Sequence, residues 1–324
     1  MNKIYNTLKI FRAINKRVNK STIDKNTYVL NIDYTGQQAS DIIKKMLLDD
    51  KPIMISRIGS TELNTVVRYI DINNASQYSG IYNIIQYIKG NSPQYWWGEQ
   101  GILMRDLSGF FPLNDKYLDR FSIQMLNDFQ NIDIIGSWLK NEMFVNKYFH
   151  KSLIKVKLED LEPYYHKNPW SEALQDKNIL VIHPFDYSIE KQYKIRHALF
   201  DDQRILPRFK LQTLKAVQTI GNNTTKFKTW FDALESMCDE ISLINFDIAI
   251  IGAGAYGLPI ASYVKKIGKK SIHLGGATQI LFGIRGKRWD DRPFFQNLYN
   301  DHWIRPSNNE VPKKYKKVEG GCYW

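Results

Sequence analysis

An α/β fold with a doubly wound, mostly parallel sheet flanked by helices is what this sequence predicts, and three features carry the prediction. Short apolar runs such as N-I-L-V-I-H (178–183) are apolar at successive positions, the mark of strands buried on both faces. Helix-patterned stretches separate these runs through the C-terminal half, giving strand–helix–strand units that imply parallel pairing and right-handed crossovers. A glycine-rich turn, I-G-A-G-A-Y-G (251–257), stands where one such strand meets a helix.

The elements follow in order. Residues 27–33 are expected as a short strand and 39–48 as a helix. Residues 52–57 (P-I-M-I-S-R) form a second strand that runs into Gly59, and a helix starts near Thr61. Between 70 and 118 the chain is rich in Asn, Gly, Tyr and Trp. Tyr95, Trp96, Trp97, Phe110 and Phe111 there need burial or a ligand. A helix near 115–129 precedes a strand-like run at 132–138. Residues 178–183 are a buried strand, and 188–200 a helix with Ser188 as N-cap. The segment 209–217 is ambiguous. A helix at 230–241, a strand at 246–251, a helix at 258–267 closed by Gly268 and a strand at 270–274 complete the pattern.

With 324 residues, 43% apolar and 13% aromatic, the chain is long enough for a substantial core and is not largely disordered. Cys238 and Cys322 are too few for a disulfide framework or a multi-cysteine zinc site. No run of 18 or more uncharged apolar residues is present, and no signal peptide is expected at the N-terminus. The net charge is +12, of which residues 1–20 hold +6 and residues 311–324 hold +3. A charge gathered at the ends argues against a nucleic-acid groove across the body. The expected organisation is a basic amphipathic arm (1–25), a single domain (26–310) with a sub-division near 170 left open, and a basic tail (311–324). Ile4, Leu8, Phe11 and Val18 share one helical face, with Lys9, Arg12, Lys16 and Arg17 over the rest. Such a helix suits an anionic membrane surface, and packing on the body is the alternative.

Gly252, Gly254 and Gly257 satisfy G-x-G-x-x-G, which permits a tight turn and presents helix N–H groups to a phosphate. A dinucleotide site also wants an acid at the end of the next strand. Here that strand ends Ser271-Ile272-His273-Leu274-Gly275-Gly276, with no acid before Asp290, so a diphosphate is expected and NAD is not. His273, Gly275, Gly276, Gln279, Arg285, Lys287 and Arg288 follow on the same sheet edge, where ligands of open α/β sheets bind. Arg57, Gly59, Ser60 and Glu62 close an earlier strand: Arg57 suits a phosphate, and Glu62 is either a solvated first-turn acid or a base. His183 ends the strand 178–183, and Gln192 and Arg196 share a face of the helix after it. Serine-hydrolase, zincin and EF-hand patterns are absent.

The strings R-I-G-S-T-E (57–62), S-G-F-F-P (108–112), I-I-G-S-W (134–138), V-I-H-P-F (181–185), the glycine turn, and I-H-L-G-G-A-T-Q-I-L-F-G-I-R-G-K-R-W (272–289) together resemble bacterial surface-polysaccharide glycosyltransferases of the structural class called GT-D. The resemblance runs from about residue 50 to the terminal E-G-G-C-Y-W. It implies a single Rossmann-like domain and transfer of a hexosyl group from a nucleotide-sugar donor, UDP-linked, to a lipid-linked or growing glycan. The corresponding family pattern is R-x-G-D-G-E, whose two carboxylates are associated with donor and a divalent metal. Ser60 stands in place of that Asp, so Mn²⁺ or Mg²⁺ at Glu62 is left open, with Glu62 as general base the other reading. Glu62 and His183 are the expected catalytic pair. Trp138 and Tyr256 join the donor set, while Trp96, Trp97, Gln192 and Arg196 are expected at the acceptor. The implied place is the cytoplasmic face of the cell membrane, with the basic ends toward anionic lipid. Two alternatives are an NAD(P)-dependent oxidoreductase or epimerase acting on a nucleotide sugar, and a non-catalytic nucleotide-sugar scaffold.

Overall fold

A computed structural model describes residues 2–18, 30–77, 80–223 and 225–324. Within them, seven strands form one sheet: β1 (Met54–Ser56), β2 (Ile134–Ser137), β3 (Ile154–Lys157), β4 (Asn178–His183), β5 (Lys210–Lys215), β6 (Ile248–Ile251) and β7 (Lys270–His273). Their order is β3-β2-β1-β7-β6-β4-β5, and every neighbouring pair is parallel. The sheet runs without a break past residue 170, joining β3 and β4 in one core layer.

Side chains alternate between two apolar layers with the period of two that a strand imposes. Leu180, Ile182, Ala249 and Ile251 enter one layer. Ile179, Val181, Ile248 and Ile250 enter the other. The first layer is covered by α3 (Ser60–Ser76), α5 (Glu99–Ser108), α6 (Asp115–Phe129), α8 (Trp230–Ser242) and α9 (Gly257–Lys266); the second holds α2 (Gln37–Leu48), α7 (Asp186–Lys194) and α10 (Ala277–Leu281). Connections that step toward β3 cross on the first face, and those that step toward β5 cross on the second. One handedness is thus kept throughout, and the fold is a Rossmann-like, doubly wound α/β sheet. The adjacent strands β1 and β7 lead to α3 and α10 on opposite faces, which opens a crevice between their carboxyl ends.

Three strand starts are pinned by an aspartate from the neighbouring chain segment: Asp33 accepts from the Lys155 N–H, Asp133 from Met54 and Asp247 from Asn178. The strand expected at 27–33 lies mostly outside the described residues; Tyr34 bridges to Val156. Two elements differ from expectation. Ser188 is inside α7 rather than its cap, because the buried Glu310 carboxylate accepts from the Ser188 N–H at 3.2 Å and from its hydroxyl. The following helix ends at Lys194, and Arg196–Ala198 is a 3₁₀ turn.

The N-terminal helix α1 (Asn2–Val18) packs against α4 (Gly80–Lys89) through Leu8 and Tyr5, with Tyr5 stacked on Trp96 at 4.4 Å. This rotation splits the expected apolar face. Leu8 is buried, whereas Ile4 and Phe11 stay exposed beside Ile10 and Ile14. The C-terminal residues also fold in: Val318 and Cys322 are buried, and the Arg288 N–H donates to the Cys322 carbonyl at 2.9 Å. The lysines at 313, 314 and 316 are exposed, as a basic tail would be.

Glu310 also accepts from the Ser307 N–H at 3.2 Å, so it joins the C-terminal segment to the first turn of α7. Glu310→Ala strands the Ser188 N–H, leaves the Ser307 N–H only the Ser188 hydroxyl at 3.0 Å, and removes an anion from a helix N-terminus. The urea midpoint should fall by the equivalent of about 2 kcal/mol with an unchanged slope. An unaltered midpoint would show that Glu310 contributes nothing.

Candidate functional site

A cleft opens where the carboxyl ends of β1, β2, β4, β6 and β7 meet. It is lined by Arg57, Gly59, Ser60 and Glu62 after β1, Trp138 after β2, His183 on β4, Gly252 and Gly254 after β6, and His273, Gly275, Gly276 and Gln279 at and after β7. Arg288, Glu319 and Tyr323 come from the C-terminal region.

Arg57 is the unusual group. Its guanidinium lies over the Trp138 ring, 5.1 Å from the centroid, and has no hydrogen-bond acceptor or ion-pair partner among the described residues. Burial lowers its pKa, as expected for a desolvated cation. The indole that faces it is held on three sides. Trp138 Nε1 donates to the Ile58 carbonyl at 3.0 Å, and the Trp138 and Leu139 N–H groups both donate to Glu142 Oε1 at 3.0 Å. Glu142 is fully buried and also accepts from the Ser137 hydroxyl. Glu62 and Glu162 lie close enough to act on the Arg57 charge without pairing with it directly, so its donors are available to an anion that enters the cleft.

The glycine turn supplies the opposite kind of donor. A Cβ at Gly252 would meet His183 Cδ2 at 2.4 Å and the Gly275 carbonyl at 2.8 Å, so only glycine fits there. Gly254 has φ +54° and open space around it, leaving the backbone accessible. Gly257 starts α9, where a side chain would strike His273 Nε2 at 2.2 Å. Gly257 is therefore needed for helix–strand packing, and it is not among the residues that line the cleft.

His183 and His273 are both buried, and burial depresses each to about 3. His183 Nδ1 accepts from the Phe185 N–H at 3.0 Å, which leaves its proton on Nε2. His273 Nδ1 lies 3.1 Å from the Ser56 hydroxyl. Both rings are neutral at pH 7, so His183 contributes a hydrogen-bond donor and no positive charge. Arg288 is paired with Glu319 and lies 4.7 Å over the Tyr323 ring. Glu62 folds back over the first turn of α3, its Oε2 2.0 Å from where a Gly59 Cβ would be. Of the two carboxylates lining the cleft, only Glu62 has no ion-pair partner among the described residues. The described residues hold no group of three His, Cys, Asp or Glu side chains. A lone Glu62 suits a divalent ion only when substrate phosphates supply further oxygens.

Eight expected site residues lie elsewhere. Trp96 belongs to the aromatic cluster under α1 and Trp97 to the main core. Gln192 is buried, donating to the Gly283 and His302 carbonyls, and Arg196 lies over Tyr193. Tyr256 is buried and stacked on Trp230 at 4.7 Å, and Gly257 packs on His273 as above. Arg285 is held near Asp290 and over Tyr299, and Lys287 opens onto a different groove. Glu142, Glu319 and Tyr323 went unpredicted; the Glu three residues after Leu139 is the only local signal for any of them.

Comparison with protein-family models, curated proteins and solved structures found no match to this chain.

The two imidazoles make a signed pH prediction. Their folded pKa of about 3 lies below the ordinary 6.5, so the unfolded chain takes up protons that the folded chain refuses between these values. Their contribution is complete above 6.5 and is lost as pH falls toward 3. Glu162 acts in the opposite sense: burial raises it from 4.5 to about 7, so its contribution is lost as pH rises through that window. His183→Asn should flatten the acid-side stability slope by about 1.4 kcal/mol per pH unit in urea titrations. An identical slope would contradict a neutral, buried His183.

Proposed function

We propose that this chain is a glycosyltransferase of the GT-D kind, moving a hexosyl group from a UDP-linked donor to a lipid-linked or growing surface polysaccharide. The observation that carries the reading is the unpaired Arg57 guanidinium in the same cleft as the open Gly252–Gly254 backbone turn and an unpaired carboxylate, Glu62. A diphosphate matches the first two groups, and a hydroxyl nucleophile needs the third.

In this scheme Glu62 accepts the proton of the acceptor hydroxyl as its oxygen bonds to the anomeric carbon. The bond from that carbon to the diphosphate oxygen breaks, and the charge that collects on the leaving group is met by Arg57 and by the Nε2–H of His183. The Arg288–Glu319 pair borders the site, and Arg288 becomes a second phosphate ligand if Glu319 yields.

Turnover of a nucleotide-sugar panel, with and without Mn²⁺ and with NAD(H) and NADP(H) as controls, tests the reading. Glu62→Gln should lower turnover by roughly 10²- to 10⁴-fold while leaving UDP binding intact. Full turnover by the variant would remove Glu62 as base, and turnover or binding of nicotinamide nucleotides alone would favour an oxidoreductase.

No helix among the described residues is long and apolar enough to cross a membrane. The proposal places the enzyme peripherally at the cytoplasmic face through α1. There Ile4, Ile10, Phe11 and Ile14 are each at least 49% exposed on a segment without acids. Phe11→Glu with Ile14→Glu should reduce sedimentation with anionic vesicles by about tenfold or more. Unchanged sedimentation would sink the α1 assignment.

A further inference from the structure

A second groove lies on the other side of the C-terminal turn from the cleft. Lys287, Arg305, Lys313 and Lys316 line it together with Tyr315 and Trp324, and its lining contains no Asp or Glu side chain. Of the acids nearby, Asp290 pairs with Arg305 of the groove wall at 2.5 Å, which leaves the three lysines as its uncompensated charges, while Glu310 is engaged with Ser188 and Ser307 and Glu319 with Arg288. Lys287, Lys313 and Lys316 are exposed and make no ion pair among the described residues. Three ammonium groups around one hollow repel each other unless an anion lies between them.

The two sites share a partition. Glu319 lines the cleft, while Gly320 and Gly321 line the groove. All three residues have positive φ (45°, 69° and 87°), so the backbone turns sharply enough to present successive residues to opposite sides. Gly321 lies against Tyr315, where a Cβ would come within 2.8 Å of the ring.

We infer that this groove is a second phosphate-binding site, separate from the cleft, for a phosphate or diphosphate group carried either by a free anion or by a lipid. Ammonium groups bind such a group as point charges and need no bidentate fit. The site uses none of the cleft residues assigned above, so it stands or falls independently of the donor reading.

The test is calorimetric titration of inorganic pyrophosphate into the full-length protein, the triple variant Lys287→Gln/Lys313→Gln/Lys316→Gln, and Arg57→Met. A parallel arm measures sedimentation with phosphatidylcholine vesicles containing or lacking phosphatidic acid. The wild type should show two classes of pyrophosphate site. The triple variant should weaken one class by about tenfold or more and keep the Arg57-dependent class. Should the triple variant fail to fold, Lys313→Gln/Lys316→Gln should give a smaller loss in the same class. A free-anion ligand leaves vesicle binding unaltered by these variants, whereas a lipid ligand lowers it about tenfold with phosphatidic acid and not without; either outcome supports the groove. The inference is overturned if the lysine variants retain both classes, or if the wild type has a single class that Arg57→Met abolishes. If Arg57→Met keeps both classes and the lysine variants lose one, the cleft reading fails and the groove stands.

Discussion

Arg57 is held at the carboxyl end of β1 against Trp138 on one side and Gly275 on the other, with Glu62 and Glu162 near enough to act on its charge but no direct ion pair among the described residues. Much of the surrounding structure serves that placement. β1 must lie beside β7 for Gly275 to approach, and Gly275 must have φ +61°, where a Cβ would sit 3.3 Å from Arg57 Cδ. Trp138 must stay where it is, which is the task of the buried Glu142 carboxylate with its three donors. Isolated buried cations are unfavourable, and a fold that keeps one rigid gains by the binding of an anion what it loses without one.

The same crevice gathers glycines and neutral imidazoles for one reason: close approach. Gly252 and Gly257 leave room for His183 and His273, and those rings in turn lose their protons because the packing that admits them excludes water. The site therefore concentrates its positive charge in Arg57 and Arg288 and supplies other donors as N–H groups. The C-terminal segment completes the wall. Tyr323 packs on Gly276, Gln279 donates to the Tyr323 carbonyl at 3.1 Å, and Glu319 occupies Arg288.

What could be read from the sequence follows the physics of burial. β6 is apolar throughout and β4 from Ile179 to Ile182, both inside the sheet, so their runs stand out; the predicted 178–183 matches β4 residue for residue. β3 (I-K-V-K) and β5 (K-L-Q-T-L-K) are the sheet's edges, where lysines face solvent and the apolar signal fades. One was missed and the other left ambiguous. Residues adjoining a strand end, such as Arg57, Glu62, His183 and Gly252, line the crevice because topology alone carries them there. Residues whose fate depends on remote packing are not legible in this way. Trp96 and Trp97 are consecutive yet enter different clusters, and Gln192 turns away to carbonyls 91 and 110 residues distant. The C-terminal lysines suggested a solvated tail, although the residues that follow them, Val318 to Trp324, close the cleft.

Under the proposed function, Arg57 lacks an ion-pair partner in the protein because its partner is a phosphate. Titration of UDP into the wild type, Arg57→Lys and Arg57→Met, followed by calorimetry at fixed salt, addresses it most directly. A single charged hydrogen-bonding interaction predicts affinity roughly tenfold to a hundredfold lower for Arg57→Met, with Arg57→Lys between the two. Equal affinity in all three proteins would mean that the guanidinium is a structural oddity, and that the cleft recognises something other than a diphosphate.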